Sequence, residues 1–324
     1  MSASTSMSSE TAGAAPKASI VVPSRGGAVR LPHLFSSLRA QTEPSWEAIV
    51  VIDGDVDDSE SVVAAAGDER IRAIVFPENR GRSAALNTGF AAARGEVLIR
   101  CDDDLRPAPD YVASHVECHS GLPTGAIGLY LNKYPATPYA RAYGYERDER
   151  FRRDAYATDP RRQWRYWAGN VSVTRTTYDR VGEYDTAFRA YGWEDIDWGY
   201  RAFVEGVNVR LVPQIETPHF IAATTTATRV TRAFLSGAAR RRFEAKHGLQ
   251  ALGDDAGSAL HLWGGLVDFS ARVLDLRGIQ RCARVIDRIA DRMPRYTAEK
   301  CIALLVESAA KSGYRRGEQG TEHV

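Results

Sequence analysis

From Ala18 onward, short runs of β-branched and apolar residues alternate with longer stretches in which apolar positions recur every three or four residues. The short runs predict strands and the periodic stretches predict helices, an order typical of βαβ units on a mostly parallel sheet. "ASIVVP" opens as a strand. "LPHLFSSLRAQT" then sets Leu31, Leu34, Phe35 and Leu38 on one helical face, and "WEAIVVID" gives a second strand ending at Asp53. "SESVVAAAG" and "SAALNTGFAAARG" predict helices closed by Gly67 and Gly95, with "IRAIVFP" as a strand between them. "EVLIRC" follows as a fourth strand and runs straight into Asp102, Asp103 and Asp104.

In open α/β sheets, ligands bind beyond the carboxyl ends of the strands, and Asp53 and the aspartate run share that edge. Three adjacent carboxylates repel one another, so a positive partner is expected beside them. Asp102 and Asp104, spaced D-x-D, offer a hard divalent cation two oxygens on a rigid support; the same residues serve equally well to cap a turn. A second acidic cluster lies in "YGWEDIDWGYR", a predicted helix whose Trp193, Ile196, Tyr200, Phe203 and Val207 should face the core. Acids in a first helical turn suit the macrodipole. Flanking by Trp193 and Trp198 adds desolvation, which raises a carboxylate pKa and makes Asp195 a candidate general base.

His219, in "ETPHF", reads as a core histidine or as a third metal ligand, and the "HVECH" set of His115, Cys118 and His119 reads as structural. Arg82, after the Gly81 turn, could meet a phosphate or simply open a solvated helix. A helix is expected near Tyr111 to His119, a single strand over "GAIGLYL", and another over "GNVSVTR". The stretch from Lys133 to Arg165 lacks periodicity and reads as a solvated loop or a binding lid. Beyond Phe220 the pattern becomes helical and amphipathic, and a C-terminal helical appendage is expected from near Gln250.

Composition narrows the classes. With 42 Lys+Arg against 41 Asp+Glu, no global field draws the chain to nucleic acid, so any electrostatic attraction must be local. Four cysteines without a CxxC pair argue against a disulfide framework or zinc ribbon and suggest free, intracellular thiols. The first seventeen residues are small and polar, without the basic and apolar regions of a signal peptide, and read as a disordered tail. No stretch approaches the roughly 18 to 20 apolar residues that span a bilayer.

Taken in order, "SIVVPSRG", "NRGRSAALNTGFAAARGEVLIRCDDD" and "GWEDIDWGYRA" resemble the opening strand, the DxD passage and the acceptor-side E-D block of family 2 glycosyltransferases, over about Ala18 to Phe220. The resemblance implies a GT-A fold, which is Rossmann-like with a mostly parallel sheet flanked by helices. Residues 1–17 are then a tail, 18–250 the GT-A domain with a nucleotide half (18–120) and an acceptor half (121–250), and 251–324 a helical C-terminal region. It also implies a metal-dependent, inverting transfer of a hexosyl or N-acetylhexosaminyl group from a nucleoside-diphosphate sugar, most simply a UDP-sugar, to an acceptor hydroxyl.

Residue by residue, Asp104 would coordinate Mn²⁺ or Mg²⁺, with Asp102 on the ribose or on metal-bound water and His219 as a further metal ligand. Asp195 would be the base, with Glu194 beside it holding acceptor hydroxyls. Pro23, Arg25, Arg82 and Asp103 would belong to the donor site, and Trp167 and Trp193 to the acceptor side. The family's D-D-G-S-x-D is here "DGDVDD", so Asp53 or Asp55 must substitute for the usual base-reading residue. The expected partners are the donor and a glycan, lipid-linked or small-molecule acceptor, with no nucleic acid. The expected setting is cytoplasmic, with room for peripheral contact at the inner face of a membrane and for self-association through the C-terminal helices. Two rivals stand beside this reading. One is a sugar nucleotidyltransferase, since "RGGAVRL" echoes its glycine-rich signature, and the other is a catalytically silent nucleotide-sugar-binding protein.

Overall fold

The structure is a computed structural model and describes residues 15–189, 192–220, 223–253 and 261–317. The tail expected over 1–17 lies outside these residues as far as residue 14. Lys17 already belongs to the fold: its N–H donates to the Ser45 carbonyl and its own carbonyl accepts from the Val97 N–H, both at 3.0 Å.

The chain runs β1 (Ala18–Ser24), α1 (Leu31–Arg39), β2 (Trp46–Asp53), α2 (Ser59–Ala64), β3 (Ile71–Phe76), α3 (Arg82–Ala92), β4 (Val97–Cys101), α4 (Tyr111–Glu117), β5 (Thr124–Ile127), β6 (Tyr130–Asn132) and α5 (Tyr145–Tyr156). It continues through β7 (Asn170–Thr174), α6 (Arg175–Val181), α7 (Trp193–Val204), β8 (Asn208–Leu211), β9 (Thr217–His219), α8 (Thr226–His247), α9 (His261–Val273), α10 (Leu276–Ile289) and α11 (Arg295–Arg316). Seven strands form one sheet in the order β3-β2-β1-β4-β7-β5-β8. The first four are mutually parallel, β7 is antiparallel to both neighbours, and β8 pairs parallel to β5.

Alternation along the strands sends successive side chains to opposite faces. Ile20 and Val22 join Leu31, Leu34, Phe35 and Leu38 on one face, while Val21 joins Phe90, Leu98, Trp167 and Trp198 on the other. The expected α1 face is thus buried in full.

Three expectations are corrected. "GAIGLYL" is two strands: after β5 the chain leaves the main sheet, and β6 pairs parallel with β9 in a separate two-stranded sheet. Gly128 sits at the break, where a Cβ would collide with the Ile215 carbonyl and the Asn170 amide. The stretch from Lys133 to Arg165 is largely helical, with a wide turn at Ala140–Gly144, then α5, then a 3₁₀ segment at Pro160–Tyr166. Helix α5 buries only Ala155 and is held by ion pairs such as Arg152–Glu216 (2.6 Å), so no apolar stripe betrays it. On α7, Phe203 is exposed and the buried face carries Glu194, Asp195, Asp197, Trp198 and Ala202. Polar partners make the burial of these acids tolerable.

The helices that pack together at the C-terminal end include α8, which starts at Thr226. Helices α8 and α11 touch backbone to backbone: a Cβ on Gly237 would strike the Ala310 carbonyl, and one on Gly313 the Phe234 carbonyl. Around this seam Val230, Phe234, Ile279, Ala283 and Ile302 form a separate core. The other end of α8 reaches the sheet domain, where Lys246 (2.8 Å) and His247 (2.7 Å) contact one oxygen of the fully buried Asp197.

Candidate active site

The three aspartates after β4 face three different partners. Asp103 accepts from Arg30 Nε and Nη2, both at 2.8 Å, and from Ser24 Oγ at 2.6 Å, which clamps the β1 exit loop to the acidic turn. Its donor-site role gives way to this buried structural one. Asp102 Oδ1 accepts from Arg100 Nε at 3.0 Å and Oδ2 from Tyr130 Oη at 3.3 Å. Asp104 Oδ2 lies 3.0 Å from His219 Nε2, and Asp104 Oδ1 is buried without a hydrogen-bond partner.

The orientation of His219 is fixed from behind. Asn132 Nδ2 donates to Asp148, so Asn132 Oδ1 accepts the His219 Nδ1–H at 2.6 Å. The Nε2 lone pair then faces the Asp104 carboxylate, and two acceptors at this separation require a proton or a cation between them. The small β6–β9 sheet brings Asn132 opposite His219 in register, and Tyr130 stacks on the imidazole at 4.5 Å. Among the described residues no group of three or more His, Cys, Asp or Glu side chains converges to hold a metal ion. With one unpartnered carboxylate oxygen and one imidazole nitrogen turned towards it, Asp104 and His219 fit a hard divalent ion of the kind that takes one or two protein ligands and completes its shell with water and phosphate.

Arg100 has no counterpart in the expectations above. It is 1% exposed on the central strand β4 and forms an ion pair through Nη1 with Asp195 Oδ1, besides its bond to Asp102. One guanidinium thus joins the acidic turn of the nucleotide half to the acidic helix of the acceptor half. Burial works against its charge, yet Asp102 and Asp195 hold its pKa well above the usual guanidinium value. Asp102 is desolvated, but Arg100 and Arg82 outweigh this and keep its carboxyl below the usual range. For Asp195 the balance tips the other way: burial pushes the carboxyl up to about 7, against the pull of Arg100 and with the help of neighbouring Glu194. The oxygen that meets Arg100 is Oδ1. A lone arginine in an otherwise apolar strand was the available signal, since buried arginines are almost always paired.

Glu194 is buried and engaged, with Oε1 at 3.2 Å from Arg82 Nη1 and Oε2 accepting the Gly192 N–H at 2.9 Å. Arg82, at the start of α3, therefore reaches across to the acceptor side. Asp53 spends both oxygens on the backbone, accepting from the Arg80 (2.6 Å) and Gly81 (2.9 Å) N–H groups. Asp55 is exposed and accepts from the Ser59 (2.9 Å) and Glu60 (3.1 Å) N–H groups at the start of α2. Both carboxylates shape loops, which weakens either as a reader of the base. Pro23 lies at the end of β1, and Arg25 is exposed just after it.

Trp167 is corrected outright. It is buried, stacks on Trp198 at 4.7 Å and donates to Tyr184 Oη at 2.9 Å, so no sugar can reach its ring. Trp193 is almost as buried and donates to Ser236 Oγ at 3.0 Å. His115 is structural as expected: it contacts Ser172 and Asn170, and burial pushes its pKa down to about 3. All four cysteines are free.

Gly169 makes room for the acidic turn, because a Cβ there would collide with Asp102 Oδ2 and Tyr130 Oη. Gly169→Ala is expected to displace both groups and to cost about 1–3 kcal/mol of stability, as overpacking does. Denaturant titration against the parent chain checks it.

A strand-order reversal flanked by helices, with an acidic turn after β4 facing an acidic helix, defines the GT-A class of sugar transferase folds. Solved structures agree on the fold: a mannosyltransferase from Pyrobaculum calidifontis, in complex with GDP-Man and Mn²⁺, aligns with a TM-score of 0.63 at 18% identity over 94% of this chain and 89% of that one. The 1–349 portion of TarS from S. aureus aligns at 0.51 and 16% identity, covering 93% and 91%. The profile of glycosyl transferase family 2 matches residues 19–180, and the chain belongs to that family. A second profile, described as the N-terminal domain of galactosyltransferase, matches residues 142–225.

Curated relatives include validoxylamine A glucosyltransferase of Streptomyces hygroscopicus subsp. jinggangensis, 27% identical over 63% of this chain and 56% of the relative. Another is the undecaprenyl-phosphate 4-deoxy-4-formamido-L-arabinose transferase of Pseudomonas fluorescens, 28% identical over 55% and 48%. The chain spans about half the length of these curated relatives.

Proposed function

We propose that this chain transfers a glycosyl group from a nucleoside-diphosphate sugar to an acceptor hydroxyl by a single inverting displacement. The observation that carries the proposal is the chain of contacts from Asp195 through Arg100 to Asp102, continued by Tyr130 to His219 and Asp104. It links one raised carboxyl to a cation-shaped pair.

Asp104 and His219 would hold Mn²⁺ or Mg²⁺, which supplies Lewis-acid stabilisation of the leaving diphosphate when bound. Asp195 Oδ2 takes the proton of the acceptor hydroxyl. The acceptor oxygen then forms its bond to the anomeric carbon as the bond to the diphosphate oxygen breaks. Glu194, anchored by Arg82 and the Gly192 N–H, borders the acceptor.

The names of the relatives, which cover validoxylamine A and undecaprenyl phosphate, support small-molecule and lipid-linked acceptors alike. UDP-sugars are the first donors to test, and the GDP-Man and Mn²⁺ of the structural neighbour add GDP-mannose to the panel. Incubation with these donors and Mn²⁺ should release nucleoside diphosphate. Pyrophosphate release would favour the nucleotidyl rival, and neither product the silent one. Asn132→Ala removes the group that orients His219 and is expected to weaken Mn²⁺-dependent nucleotide binding by roughly 10–100-fold. Asp104→Ala should weaken it at least as much, with metal-free binding unchanged; calorimetry with and without Mn²⁺ reads both.

A further inference from the structure

Helix α10 carries Arg277, Arg281, Arg284 and Arg288 at intervals of four, three and four, which sets them on one helical face, and all four are exposed. The one acid in the helix, Asp287, is turned inward and accepts the Thr226 and Ala227 N–H groups at the start of α8. Arg284 reaches only the Gln280 carbonyl of its own helix, at 3.3 Å, and Arg277, Arg281 and Arg288 form no ion pair among the described residues. Some arginines of the neighbouring helices are paired, as in Arg315–Asp268 (2.7 Å) and Arg240–Glu244 (2.7 Å). The α10 row is a local excess of positive charge on a chain whose overall charge is near zero.

The preceding helix has the complementary character. Helix α9 buries Val267 and Ala271 on its inner side, yet its outer side shows Leu262, Leu266, Phe269 and Val273, which are 90%, 46%, 64% and 62% exposed. These four share the spacing of the arginine row, and each row runs about 16 Å at 1.5 Å per residue. Only Leu274 and Asp275 separate the two helices, and both pack on α11.

We propose that α9 and α10 form a docking surface for an anionic lipid bilayer, with the α9 stripe entering the headgroup boundary and the α10 row meeting lipid phosphates. A soluble polyanion such as nucleic acid would use the arginines but leave the leucines and Phe269 in water. A second copy of the chain meeting this face symmetrically would set one arginine row against another. The surface contains no residue of the candidate active site, so it stands independently of the transferase reading.

The test is co-sedimentation of the full chain with vesicles of phosphatidylcholine alone and of phosphatidylcholine mixed with phosphatidylglycerol. Binding is expected to the mixed vesicles only and to weaken with added salt. Changing all four arginines to Gln should abolish it, at about fivefold in partitioning per charge, and Leu266→Ser with Phe269→Ser should reduce it at constant charge. Circular dichroism establishes that the variants remain folded, as substitutions at exposed positions should. Equal binding to both vesicle types, or none to either, overturns the proposal. It is also overturned if the Ser variant binds vesicles as the parent does while the Gln variant loses binding to polyphosphate. A shift in oligomeric state caused by the Ser variant, without vesicle binding by the parent, assigns the stripe to self-association and likewise ends it.

Discussion

Asp195→Asn is expected to lower kcat by roughly 10²–10⁴-fold, the contribution of a positioned general base, with nucleotide affinity unchanged. The amide keeps the shape of the side chain but cannot take the acceptor proton. With burial holding the carboxyl at about 7, the rate of the parent should rise with pH through a limb near that value, because only the deprotonated form accepts. The stability linkage has the opposite sense. A folded pKa above the unfolded value of about 4 means that the native chain retains a proton the unfolded chain has released. The contribution of this group is fully present below about pH 4 and is lost as the pH rises through 7. Steady-state rates across pH, alongside thermal melts at the same pH values, separate the two effects. Unchanged turnover in the variant would remove Asp195 from its role.

Arg100→Met should be the most damaging change outside the reacting groups. It leaves the Asp102 and Asp195 carboxylates facing each other's side of a dry strand with nothing between them, and breaking such a buried pair costs about 3–5 kcal/mol. Arg100→Lys should rescue little, since a single ammonium cannot reproduce the fork that spans both carboxylates. Where enough folded protein survives, the pH limb should move upward, because Arg100 pulls the Asp195 pKa down. Urea titration and the pH profile provide the readings. A variant of parental stability with an unmoved limb would deny Arg100 its positioning role.

The nucleotide half of the fold was legible because its strands are continuous apolar runs and its helices carry clean stripes, such as Leu31, Leu34, Phe35 and Leu38 in α1. Helix α5 was not, because ion pairs such as Arg152–Glu216 hold it and its burial is confined to Ala155. The inward face of α7 was misjudged for a related reason: aromatic residues were counted as core, whereas Asp197 is fully buried against Lys246 and His247 and Phe203 faces water. In the candidate site, the residues with a motif, Asp102, Asp104, Asp195 and His219, were named from the sequence. Those that join them were not. Arg100, Tyr130 and Asn132 sit at intervals that no spacing rule relates, and they meet only because β4, the β6–β9 pair and α7 converge beyond one sheet edge.

The glycine seam between α8 and α11 has a mechanical corollary. With Gly237 and Gly313 at the crossing, no layer of side chains lies between the two backbones to shear. The same α8 ends in the Lys246 and His247 grip on α7, two residues past Asp195. The outer helices and the acidic helix α7 are therefore joined through one continuous element, α8, with a backbone contact towards one end and two charged contacts to Asp197 at the other.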